Sequence, residues 1–184
     1  MRLFLNRFVR AARLDVTLYK EIVADPLTLN QAWITVLIYC MAASWGTFGG
    51  VGAVGTNIAL ACTLIGWYIW AFFTYFAASR FFRENQRKID RSERKAVIRA
   101  MGFASAPGII RLLGFIPGLG IIVIAAASIW MIAASSIAVK EALNFESTYR
   151  AAAACIFAWI ISAFFQMVLF VSLFQAFGVS AKPG

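Results

Sequence analysis

The chain has 184 residues, 62% of them hydrophobic, with 17 lysines and arginines against 8 acidic residues and a mean hydropathy of +0.80. Those values exclude an ordinary soluble domain and define one polytopic membrane unit. The net charge of +9 flanks apolar runs and carries no basic and aromatic recognition motif, so it points to anionic headgroups and the positive-inside effect rather than to nucleic acid.

Residues 1–24 lack the apolar core and small-residue cleavage site of a signal peptide, so the first membrane segment is expected to do the targeting. Leu5, Phe8, Ala12, Val16, Tyr19 and Val23 form one helical stripe, flanked by Arg2, Arg7, Arg10, Arg13 and Lys20. The spacing predicts an amphipathic helix over 1–25, lying on the membrane or on a partner subunit. Asp25-Pro26 then supplies an N-cap and a favourable first helical residue.

No charge occurs from 26 to 79, a gap of 54 positions that accommodates two crossings, at 29–48 and 58–79. The glycines of 49–55 predict a loop between them, with Asn57 capping the returning helix. Gly46 and Gly50 match GxxxG, but beside a loop they favour turn flexibility over a dimer seam. Trp45, Trp67, Tyr68, Trp70, Phe72, Phe73, Tyr75 and Phe76 crowd these spans, and interfacial anchoring or helix packing accounts for them better than a cofactor site. Cys40, Cys62 and Cys155 fall singly within spans and read as small apolar fillers.

Residues 80–99 are too charged to be buried in lipid, and the Glu84/Lys88 and Asp90/Arg94 spacings support a short surface helix. Arg83, Arg87, Lys88, Arg91, Arg94 and Lys95, with Arg7, Arg10 and Arg13, are the candidate contacts to anionic lipid or a partner. Alternatively, the loop is only a topology determinant.

The third span, 100–115, is only about 16 residues long, and Pro107 removes a donor and disfavours helix at Ala106, so a short or broken segment is expected. Gly102, Ala106, Gly114 and Gly118 would let backbones approach. Phe115, Ile116, Pro117 and Gly118 read as a tight turn, followed by Gly120 and a fourth span at 119–139. Asn144 is placed to end that helix, and Ser147 or Thr148 to start the fifth span, 151–177, which is long enough to tilt. Gln166 near its middle should seek a partner across helices. Residues 26–178 form the membrane domain and 179–184 a short tail.

With the N-terminus inside, about 15 basic residues fall on the cytoplasmic side, against Arg111 and Lys182 elsewhere. Five crossings then put the C-terminus outside. The sequence contains no histidine, paired intramembrane carboxylate, metal-ligand cluster or phosphate-cradling loop, so no enzyme, metal or cofactor is expected. Arg111 is the one charge inside a span, and is expected to snorkel outward and cap carbonyls freed near Pro117. A transporter would have Arg111, Gln166 and the Pro107 break as its only pathway groups.

The LYKEIVADP string at 18–26, GFASAP at 102–107, IPGLG at 116–120, IW at 129–130 and AVKEAL at 138–143 together resemble the bacterial branch of the Yip-domain family of Ypt/Rab-interacting membrane proteins. The resemblance covers roughly residues 13–170. It implies a five-helix, all-α integral membrane protein with a cytosolic N-terminus; eukaryotic members are associated with Rab GTPases, vesicle formation and membrane curvature. The short basic N-terminal segment departs from that branch and argues against a Rab-type partner. The resemblance carries over no catalytic residues. The expected function is non-enzymatic organisation of an inner membrane or of a complex in it, with lipids, other membrane proteins or self-association as partners; the rivals are a small transporter and an accessory subunit.

Overall fold

The computed structural model describes residues 2–48, 52–81 and 91–178. Among the described residues nine helical segments follow in order: α1 (Arg2–Ala12), α2 (Val16–Ala24), the 3-10 turn Pro26–Thr28, α3 (Leu29–Phe48), α4 (Gly52–Arg80), α5 (Arg91–Ala104), a 3-10 segment (Ala106–Phe115), α6 (Gly120–Leu143) and α7 (Thr148–Ala176). There is no strand among the described residues. Five segments are long and apolar enough to cross a membrane: Pro26–Thr47, Gly52–Arg80, Ser92–Phe115, Gly120–Leu143 and Thr148–Ala176.

The N-terminal region differs from expectation, being two helices instead of one. Leu14 adopts a left-handed φ of 62°, and the Asp15 amide closes back onto the Arg10 carbonyl, which ends α1. The Asp15 carboxylate then caps α2, accepting from the Thr17 and Leu18 amides. A single stripe along 1–25 cannot form across this break. Leu18, Tyr19 and Ile22 are instead fully buried against α5 and α6.

Asp25 and Pro26 open the first span as the sequence predicts, with the Leu27 amide donating to the Asp25 carboxylate. The second span starts earlier than expected: Gly52 to Asn57 are helical, so Asn57 is not a cap. Where no water competes, a helix satisfies its own backbone, and that outweighs the poor helix propensity of glycine. At the other end of the bundle Asn144 does end α6, in left-handed conformation with φ 51°, and Ser147 precedes α7 without a side-chain cap.

The third crossing is neither short nor purely α-helical. It begins at Arg91, inside the charged stretch expected to lie at the surface with a short helix of its own, because Ala96, Val97, Ala100, Met101 and Ala104 continue one buried stripe. At Ser105 and Pro107 the chain tightens into a ten-residue 3-10 helix, an unusual length for that winding. At 1.5 and 2.0 Å per residue the two parts together reach about 40 Å, more than a bilayer core.

All of 101–108 is buried, whereas Ile109, Leu112, Leu113 and Phe115 are exposed. The third crossing therefore runs through the centre of the bundle in the half nearest the N-terminal helices, and moves to its edge in the other half. Around it the spans form a closed ring, in which α3 packs on α4, α4 on α7, α7 on α6, and α6 and α3 both on the broken segment. α7 leaves Ile160, Phe164, Met167 and Val168 among the side chains on its open face.

A cavity at the break in the third span

In a 3-10 helix residues three apart lie directly above one another, so Ser105, Gly108, Arg111 and Gly114 share one edge. Each of the four meets a neighbouring helix. The Trp67 indole N–H donates to Ser105 Oγ at 2.8 Å, which fixes α4 to the point where the winding changes. A Cβ on Gly108 would overlap the Tyr39 ring and Met131, and a Cβ on Gly46 would overlap the Arg111 carbonyl, with the Gly46 carbonyl in turn against Gly114. At the α-helical start of the segment a Cβ on Gly102 would sit 2.7 Å from that of Ala32. Small positions at 102, 108 and 114 thus face α3 at 32, 39 and 46. Six residues of tight winding keep step with seven of α-helix.

Arg111 does not snorkel to the turn at Pro117. Its Nη1 donates to the Tyr39 hydroxyl at 3.2 Å and its Nη2 to Ser128 Oγ at 2.8 Å, while its guanidinium carbon lies 5.5 Å from the centre of the Tyr39 ring. Ser128 lies eight residues into α6, about 12 Å from its start, and Tyr39 about 13 Å from the end of α3, so the charge points toward mid-bilayer. The tight turn needs no such help: the Leu119 amide donates to the Ile116 carbonyl, Pro117 and Gly118 occupy its two corners, and Gly118 has φ 83°. Gly120 begins α6 in ordinary contact with Gly114.

Arg111 and Gln166, 55 positions apart in sequence, line the same cavity of about 320 Å³. It occupies the half of the bundle where the third crossing has moved to the edge. α3 contributes Tyr39 and Thr47, α4 Thr63, Gly66 and two tryptophans, α6 Ser128, and α7 Trp159, Ser162 and Gln166. Gln166 packs on α4, where its amide fills the space a side chain on Gly66 would need. Thr63, Ser128 and Ser162 donate their hydroxyl protons to carbonyls of their own helices. Pro107 is buried one turn below Arg111 and does not line the cavity.

The basic candidates divide. Arg7 is buried: its Nε and Nη2 donate to Glu21 at 2.9 and 2.6 Å, Nη2 also reaches Asp25, and Nη1 donates to Gln31 on α3. Arg10 bridges Asp15 at 2.7 Å and Glu21 at 3.1 Å. The Arg7 hydrogen bonds hold the Glu21 carboxyl below the ordinary carboxylate range, and those of Thr17 and then Arg10 lower Asp15 to about 2. Burial pushes the Tyr19 phenol up, while its hydroxyl donates to the Ala11 carbonyl. Arg13, Arg94 and Lys95 remain exposed. Arg83, Arg87 and Lys88, with Glu84 and Asp90, lie outside the described residues, as does the side chain of Arg91.

One buried arginine was not singled out by sequence. Arg99 donates from Nε to the Ile22 carbonyl and from Nη2 to the Val23 carbonyl, closing the C-terminal end of α2. The aromatic groups also separate by role. Trp67 and Trp70 are buried with their indole N–H groups on Ser105 and the Cys155 carbonyl, while Trp45, Tyr68, Phe72 and Phe76 face outward. The three cysteines are free and buried, and the described residues hold no group of three or more metal-ligating side chains.

Five apolar helical crossings and an outward apolar surface define a multi-pass helical membrane protein that associates with lipid. The Yip1 domain model matches residues 17–170, and the chain belongs to that family. No curated protein and no solved structure matches the chain.

Proposed function

We propose that this chain is a non-enzymatic protein of a bacterial inner membrane, with its N-terminus cytoplasmic, that organises the bilayer or a complex within it. One observation carries the reading: α1, packed on α5 and the 3-10 segment beside the five spans, presents Leu3, Leu5 and Val9 outward beside basic residues, the pattern of an interfacial helix. Such a helix, inserted on one side of a bilayer, favours curvature. The 15 basic residues that the sequence assigns to one side of the spans support orienting that side, with α1, toward the cytoplasm and toward anionic lipid.

The test is reconstitution into liposomes of graded diameter. The wild-type chain should partition into small vesicles, and the triple substitution Leu3→Glu, Leu5→Glu, Val9→Glu should weaken that preference, since it alters only exposed positions. Equal distribution of the wild-type chain across diameters overturns the curvature reading. A small transporter is the second reading, favoured by Arg111 and Gln166 sharing one cavity. Flux into proteoliposomes that is abolished by Gln166→Leu would select it. An accessory-subunit role would show as a stoichiometric partner retained in mild detergent.

A further inference from the structure

We infer that the cavity at the break of the third span is a binding site for an oxyanion, a phosphate or carboxylate group, held by Arg111. An arginine at this depth is costly, roughly 2.5–3.5 kcal/mol on insertion scales, and is normally offset by an acidic partner. Here the acidic residues lie only near the span ends or outside them: no aspartate or glutamate occurs from 26 to 83 or from 94 to 140, nor from 147 onward.

The neighbours of Arg111 are neutral hydroxyls. Of the five guanidinium N–H groups, one goes to Tyr39 and one to Ser128, and the buried Nε has no protein partner. Because the Tyr39 oxygen accepts from Arg111, its own proton is available to donate, and the Gln166 amide offers two more N–H groups from the opposite wall. The wall offers donors at Arg111, Tyr39 and Gln166 and has no carboxylate, so it suits an acceptor-only, negatively charged group. The volume, about 320 Å³, is some ten times the share of one liquid water and ample for a phosphate.

The shared chemistry admits two sources, a lipid headgroup entering from the bilayer or a free anion entering from the aqueous side. Purified protein in neutral detergent would be titrated with phosphatidic acid, with diacylglycerol as the phosphate-free control, and separately with inorganic phosphate, reading the thermal midpoint. Phosphatidic acid should raise the midpoint of the wild-type chain and diacylglycerol should not. A response to the lipid alone identifies the headgroup as ligand, whereas an equal response to inorganic phosphate identifies the free anion.

Arg111→Gln should weaken the apparent affinity by about tenfold or more, the loss of a charge-assisted contact. Ala163 also lines the cavity, from α7, and Ala163→Phe should fill it and abolish the response while leaving the unliganded midpoint in place. That variant decides the matter should Arg111→Gln fail to fold. No anion-dependent shift in the wild-type chain, or the same shift in Ala163→Phe, overturns the inference.

Discussion

Arg99 Nη2 donates to the Val23 carbonyl at 2.7 Å, so a residue 76 positions downstream completes the end of α2. The last carbonyls of a helix have no intrahelical donor and carry the negative end of its dipole. A cation from the third crossing satisfies both needs, and it joins the N-terminal helices to the most deeply buried of the five spans.

Arg99→Leu should therefore destabilise the detergent-solubilised protein by roughly 2–3 kcal/mol, as the loss of two hydrogen bonds to a charged donor with their acceptors left buried. Arg99→Lys should recover part of this, since one ammonium can reach a carbonyl without the planar fork. Unfolding curves for the three proteins check the order. A wild-type midpoint for Arg99→Leu would mean that α2 is held by its apolar contacts alone.

Acid should loosen the N-terminal helices. In the folded chain Glu21 titrates below its ordinary range beside Arg7, and Asp15 titrates at about 2 beneath Thr17 and Arg10. Because both folded-state values lie under the unfolded ones, their contribution is complete above about pH 4–5 and is lost as the pH falls toward 2. Amide exchange in Arg2–Ala12 and Val16–Ala24, corrected for intrinsic rates, should rise across that window. Arg7→Gln should flatten the response of Glu21. Unchanged protection from pH 5 to pH 2 would falsify the assignment.

Glycine substitutions should separate contact from flexibility. Gly46→Ala drives a methyl group into the Arg111 carbonyl, where neither backbone can yield without parting α3 from the 3-10 segment, and should cost about 1–3 kcal/mol. Gly120→Ala meets only ordinary van der Waals contact at the first position of α6, and should be neutral or slightly stabilising. Thermal midpoints in one detergent give the comparison directly.

The crossings were legible because apolar length and the absence of charge are one-dimensional properties. So were the turn at Pro117 and Gly118 and the helix end at Asn144, each set by the few residues that form it. The α1 to α2 break was not, because Leu14 is a poor candidate for a left-handed residue, and its packing against the core supports a conformation its sequence does not announce. The direction of Arg111 was also hidden. A side chain near a helix end can reach outward or inward, and what decides it is Tyr39 and Ser128, which approach from two other helices. Arg99 left a fainter signal, since the stripe through Val97, Ala100 and Ala104 already extended the third crossing past its expected start.

The tight coil from Ala106 to Phe115 also steers a charge. Three residues per turn bring Arg111 back over Ser105 after two full rotations, whereas α winding from the same anchor at Trp67 would leave it about 120° short and roughly 3 Å lower. The guanidinium would then be aimed away from its two hydroxyl neighbours and toward the acyl chains. Pro107 and the glycines at 108 and 114 act at a distance in this respect: by setting the number of residues per rotation, they decide whether Arg111 is met by protein or by oil.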